Sequence, residues 1–194
     1  MSIDRRRDVV IAGHAGDSEA VRRALSDADA DVREAALGAL ARLDLLDVGT
    51  LNSAASDPAP RVRRRVAELS ARFVDVDLSP LLDDSDATVV EMAAWACGEH
   101  EVVADAVLER LIAAATTHGE PLVREAAVAA LGAIGDQRGL PAILKGCADK
   151  PAIRRRAVLA LAPFDGPEVD AALTRALEDR DWQVRQSAED VSAT

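Results

Sequence analysis

Apolar and polar residues along this chain fall into a pattern that recurs about every thirty residues. The stretch 31–40 reads Asp-Val-Arg-Glu-Ala-Ala-Leu-Gly-Ala-Leu, and 122–131 reads Leu-Val-Arg-Glu-Ala-Ala-Val-Ala-Ala-Leu. With the β-branched residue near its start as an anchor, the pattern picks out Val32, Val62, Val89, Val123, Ile153 and Val184. These are spaced by 30, 27, 34, 30 and 31 residues. Counted from each anchor, positions 0, +4, +7 and +11 are mostly apolar, as in Val32, Ala36, Ala39 and Leu43, or Val123, Ala127, Ala130 and Ile134. Residues at that spacing share one face of an α-helix, so each anchor opens an amphipathic helix.

The punctuation agrees. Pro60, Pro121 and Pro151 each precede an anchor by two residues, where a missing N–H costs nothing in a first helical turn. A second set of helices is expected ahead of each turn, near 17–27, 45–56, 77–84, 103–117, 139–148 and 167–178. Gly135-Asp136 and Gly166-Pro167 stop the chain between units. The unit is therefore helix–turn–helix. One such pair cannot bury its apolar stripe alone, but stacked copies share a continuous core. The expected domain spans residues 1–194, with a half repeat at 1–16 and repeats near 17–43, 44–73, 74–101, 102–135, 136–164 and 165–194. Gly13, Gly16 and Asp17 match Gly132, Gly135 and Asp136 in register. The first helix is thus the second half of a repeat that caps the stack, with Arg5, Arg6 and Arg7 facing solvent.

Composition narrows the functional classes. Forty alanines, about a fifth of the chain, suit closely stacked helices. No apolar stretch is long enough to span a membrane. Arg5–Arg7 are followed only by a short apolar run, Val9–Ala12, far from a signal-peptide core, which points to a cytoplasmic protein. Cys97 and Cys147 form no CxxC or Cys/His pair and are expected as buried free thiols. A net charge of −11 argues against nucleic acid and is compatible with a basic partner or with plain solubility. Arginine far outnumbers lysine, a bias of the kind genomic base composition imposes.

The signatures at 27–40, 122–131 and 179–185 resemble the HEAT repeat, and most closely the short bacterial HEAT-like units of phycobilisome lyases. The resemblance implies an all-α, right-handed α-α superhelix of about six helical hairpins plus an N-terminal capping helix. It also implies an inter-repeat ladder between turn aspartates and second-helix arginines. Here those are Asp57, Asp84, Asp149 and Asp179 with Arg33, Arg63, Arg124, Arg154 and Arg185. A guanidinium suits the task, because its fixed fork of donors reaches a carboxylate and helix-end carbonyls together. Repeat three departs from the pattern with Val90 at the arginine position, and repeat four has Glu120 rather than a turn aspartate.

The resemblance covers enzymes as well as scaffolds, and each enzyme class has its own residue signature. Deoxyhypusine hydroxylases of this fold hold iron through several His-Glu pairs. This chain has one, His100-Glu101, at a helix end, where His100 suits the helix dipole. A bilin lyase needs a pigment groove, and aromatics here are only 2%. DNA glycosylases of this fold use basic residues with aromatics. The clusters Arg63-Arg64-Arg65 and Arg154-Arg155-Arg156 could touch phosphates, but the surrounding field is acidic. No catalytic, metal or cofactor set emerges.

One deviation remains. Position +6 carries Gly38, Glu68, Trp95, Ala129 and Leu159, and position +3 carries Ala35, Arg65, Met92, Ala126 and Arg156. Position +6 points away from the core stripe. Trp95 and Met92 would then form an exposed apolar patch, bordered by Glu68, Glu91 and Glu99, with Glu125 on the next helix and Arg64 and Arg155 nearby. Packing of Trp95 between repeats is the alternative. Trp182, where other repeats have proline, is expected as a staple over the last turn. The expected function is a non-catalytic scaffold holding a protein or peptide, with a basic one matched to the acidic border. The alternatives are a DNA-binding glycosylase-type protein and a lyase or metal-dependent enzyme. Oligomeric state is open, with Glu189 and Asp190 on the last helix favouring a monomer.

Overall fold

A computed structural model of the protein describes residues 2–193. The chain opens with α1 (Ser2–Ala15) and continues as six helix pairs. These are α2 (Ser18–Ala24) with α3 (Ala30–Arg42), α4 (Val48–Ala54) with α5 (Pro60–Ser70), and α6 (Ser79–Leu82) with α7 (Ala87–Gly98). Then follow α8 (Asp105–Thr117) with α9 (Pro121–Ile134), α10 (Leu140–Gly146) with α11 (Pro151–Ala160), and α12 (Pro167–Leu177) with α13 (Trp182–Ser192). A single 3₁₀ turn, Gln137–Gly139, leads into α10. No strand occurs among the described residues. The structure is a helical solenoid in which α1, α3, α5, α7, α9, α11 and α13 stack in order.

The anchors lie on the buried stripe as their spacing requires. Val32, Val62, Val89, Val123, Ile153 and Val184 are all buried, as are Ala36, Val66, Ala93, Ala127, Ala157 and Ala188 four residues on. A continuous core runs from Val9 to Ala172, and Val158, Ala176, Val184 and Ala188 form a small cluster in the last pair. Burying these side chains stabilises the stack by about 25 cal/mol per Å² of apolar surface removed from water.

Small residues set how closely the second helices approach. Glycine at +9 in one helix meets alanine at +7 in the next. A Cβ built on Gly132 would lie 2.5 Å from the Ala160 Cβ, and one on Gly98 would lie 3.1 Å from the Ala130 Cα. Gly13 meets Ala39 in the same way, which places α1 in the second-helix row.

The turns between paired helices share one construction. Asp27, Asp57, Asp84 and Asp179 each accept through Oδ1 from the backbone N–H two residues on, at 2.8 Å in every case. The second helix then begins at an aspartate cap (Asp29, Asp86, Asp181) or with proline in its first turn (Pro60, Pro121, Pro151).

Three expectations are corrected here. The turn position of repeat four is filled by His118, not Glu120. Its Nδ1 accepts from the Glu120 N–H at 3.1 Å, the bond an aspartate Oδ1 makes in four of the other turns; in the remaining one Asp149 accepts from the next N–H, of Lys150. Glu120 is the residue before α9 and makes no side-chain cap. Cys97 is buried, but Cys147, at the end of α10, is only partly so. Trp182 does open α13, yet it is 64% exposed rather than packed down as a staple would be.

Candidate functional site

Arginines five or six residues after the turn tie each repeat to the next. Arg33 donates from Nε and Nη2 to both oxygens of Asp57 at 2.7 Å, and from Nη1 to the Asp27 carbonyl at 2.8 Å. The same three-bond arrangement joins Arg63 to Asp84 and the Asp57 carbonyl. It joins Arg124 to Asp149 and the His118 carbonyl, and Arg154 to Asp179 and the Asp149 carbonyl. Arg5 reaches Asp27 in the corresponding place. Arg185 bonds the Asp179 carbonyl, at 2.7 Å.

The rungs hold their charges firmly. The Arg63, Arg124 and Arg154 hydrogen bonds keep the Asp84, Asp149 and Asp179 carboxyls below the ordinary value. At Asp57 burial pushes the other way, but bonds from Arg33 and the Ala59 N–H outweigh it. These arginines are mostly covered, and each uses all three of its side-chain nitrogens within the ladder.

The rung between α7 and α9 has a different composition. The arginine position holds Val90, which is buried in the core, and the aspartate position holds His118. Since Nδ1 of His118 accepts from a backbone N–H, the ring hydrogen sits on Nε2. At the ladder position of this seam a buried valine stands in place of the ion pair, and the seam has a salt link from Arg110 to Asp83 at 2.7 Å instead.

His100, read from sequence as a helix-end residue, falls at +11 on the core stripe. It is buried, and its Nε2 donates to the Ser70 carbonyl at 3.0 Å, linking the ends of α5 and α7. Among the described residues, no three His, Cys, Asp or Glu side chains are grouped to hold a metal ion. No helix is long and apolar enough to cross a membrane. Burial pushes the Cys97 thiol up to about 12, so it is a poor nucleophile.

The open feature is a groove of about 820 Å³ across α5, α7, α9 and α11. Its walls contain Arg64, Glu68, Glu91, Met92, Trp95, Glu99 and Glu125, which the helical wheel had grouped. Trp95 is 45% exposed, so packing between repeats leaves almost half its surface open. Arg155 does not line the groove. Arg156, its neighbour on α11, does. Sequence reasoning also missed Leu122, 62% exposed at the start of α9. The signal was present: Leu122, Ala126, Ala129 and Ala133 recur at helical spacing, giving α9 a second apolar stripe beside its core stripe.

The border charges are unequal. Glu68 is paired with Arg65 at 2.8 Å, and Glu125 lies 3.9 Å from Arg156. Among the described residues Glu91 and Glu99 have no cationic partner. They stand four residues before and after Trp95, one helical turn to each side.

Comparison with known proteins follows the architecture. The family described as HEAT repeats matches residues 74–152 and 108–193. An engineered protein of a structural genomics consortium is similar over 90% of this chain and 96% of its own, with a TM-score of 0.67 and 20% identity. The complex of CpcE and CpcF of phycocyanin lyase from Nostoc sp. PCC7120 is similar over 88% of this chain and 74% of that one, with a TM-score of 0.62 and 23% identity. Human deoxyhypusine hydroxylase is similar over 100% of this chain and 79% of its own, with a TM-score of 0.52 and 18% identity. These likenesses establish the fold. No curated protein sequence matches the chain.

Proposed function

This chain belongs to the HEAT-repeat family, and from that premise we propose that it is a non-catalytic scaffold holding a protein or peptide in the groove across α5, α7, α9 and α11. The observation that carries this reading is Trp95. Aromatics are 2% of the sequence, and one of its two tryptophans stands half-exposed on the wall of the groove, with Met92 and the Leu122 stripe beside it. An open apolar floor with a polar border is the usual anatomy of a protein-binding surface, and tryptophan is the residue most enriched where binding energy concentrates. The same groove offers no nucleophile with a base beside it. Its four carboxylates oppose a phosphate backbone.

Random peptides displayed on phage and selected on the purified protein test this. The selected peptides are expected to lose at least tenfold in affinity on Trp95→Ala or Leu122→Ala, while the melting temperature changes little. Binders indifferent to both substitutions would place the binding surface elsewhere and overturn the reading.

A further inference from the structure

We propose that the groove seats an arginine side chain of its partner flat on Trp95, between Glu91 and Glu99, with an apolar side chain two or three residues along the partner lying on the Leu122 stripe. This deepens the scaffold reading and rests on it. Three observations converge.

The first is charge. Of the four glutamates at the border, Glu68 and Glu125 already have arginines beside them. Glu91 and Glu99 do not, and they are the pair that brackets the indole. Four residues of helix rise about 6 Å, so a glutamate stems from the backbone about one turn along the axis on each side of Trp95. Even with Arg64 on the same wall, two carboxylates outside any ion pair flank one half-exposed indole and favour a cation there.

The second is shape. An ammonium is a compact, strongly hydrated point charge, whereas a guanidinium is planar and weakly hydrated. It can stack on an indole while its in-plane N–H donors fork toward acceptors on opposite sides. Carboxylates before and after Trp95 on one helix match that fork, and Met92 gives the arginine stem an apolar bed.

The third is spacing. The apolar stripe of Leu122, Ala126 and Ala129 lies on α9, the next second helix. Packed helices are about 8–10 Å apart, and an extended chain covers about 3.3 Å per residue. A partner crossing from α7 to α9 therefore reaches the stripe two or three residues after the arginine. The small Ala126 and Ala129 leave room there for an incoming leucine or isoleucine.

The test uses the full chain carrying Trp182→Phe, so that Trp95 is the one fluorescent indole. The probes are capped peptides, acetyl-Gly-Gly-Arg-Gly-Gly-Leu-Gly-Gly-amide and two relatives. In one the arginine is citrulline, which keeps the shape and removes the charge. In the other the leucine is glycine. The arginine peptide is expected to change Trp95 emission and shift its indole N–H resonance, with an affinity that falls as salt is raised. Citrulline should weaken binding at least tenfold, and loss of leucine at least threefold. Glu91→Gln with Glu99→Gln should remove most of the preference for arginine over citrulline without lowering the melting temperature. Equal binding of the citrulline peptide, or a preference that survives the double glutamine change, overturns the arginine seat. Neutral peptides that still depend on Trp95 would leave the scaffold standing, whereas selected peptides that ignore Trp95 would remove both.

Discussion

Arg63 donates from Nε and Nη2 to the two carboxylate oxygens of Asp84, 21 residues further on, at 2.6 and 2.8 Å, and so joins α5 to the turn before α7. Its Nη1 also holds the Asp57 carbonyl at 2.7 Å. Removing this side chain leaves a nearly covered carboxylate and a turn carbonyl without their donor. Arg63→Ala is expected to cost about 1.5–3 kcal/mol, the range for hydrogen bonds to charged groups. Urea unfolding of the variant and wild type checks this, with Asp84→Ala and the double variant closing a cycle.

The seam between α7 and α9 allows the converse experiment. Val90→Arg alone places a charge in the core opposite His118 and is expected to cost about 3 kcal/mol or more. Adding His118→Asp supplies the carboxylate that the other turns have, and should recover at least half of that loss. Urea midpoints of the two single variants and the double variant measure the coupling, and simple additivity would show that the two positions do not meet.

Acid should loosen the ladder. Asp57, Asp84, Asp149 and Asp179 all titrate below the ordinary carboxylate value in the folded chain. A depressed carboxylate contributes stability that is fully present above its unfolded pKa, about 3.9. That contribution is lost as pH falls through the folded value. The urea midpoint should therefore be flat with respect to these groups from pH 6 to about 5, and drop steeply below about 4. Asp84→Asn, which removes one of the four, should shallow the drop.

Gly132 tests the close stacking of the second helices. A Cβ there would sit 2.5 Å from the Ala160 Cβ and 2.7 Å from its Cα, and the backbone of α11 cannot swing aside as a flexible side chain can. Gly132→Val is expected to cost about 2–3 kcal/mol through overpacking. Gly98→Ala, where the approach to Ala130 Cα is 3.1 Å, should cost less. Calorimetric melting of the two variants gives the order.

The thiols should differ in reactivity. Burial raises Cys97 to about 12 and Cys147 to about 11, and Cys147 is the more open of the two. In a thiol-exchange assay at pH 8, Cys147 is expected to react slowly and Cys97 only as the chain unfolds, so the Cys97 rate should follow denaturant.

Much of this architecture was legible because the repeat makes each position testable several times over. Val32 and Val123 predict the same face, and Arg33, Arg63, Arg124 and Arg154 predict the same reach. The wheel also grouped Trp95 with Met92 and the surrounding glutamates, since +2, +3 and +6 share a side of the helix. The misses have local causes. His118 was passed over because the turn was read as requiring a carboxylate, whereas what it requires is an acceptor two residues before an N–H, and a neutral imidazole supplies one. Arg155 was chosen over Arg156 because adjacent residues on a helix differ by about 100°, and only the packing of α11 decides which one turns inward. His100 was judged by its place at a helix end instead of by its +11 register, which buries it against the carbonyl of Ser70.

The substitution of Val90 and His118 for an ion pair makes the stack a chain of unlike joints. In a linear array each interface couples only its neighbours, and here the joints on either side of α7–α9 are tied by Arg–Asp rungs while the rung position of that one carries none. The order in which the molecule unzips thus depends on the medium. Under acid the aspartate rungs weaken on both flanks, while the α7–α9 joint answers to His118, whose Nδ1 accepts only while the imidazole is neutral. These are the helices that carry Trp95 and Leu122, so the groove straddles the joint whose response to the medium differs from that of its neighbours.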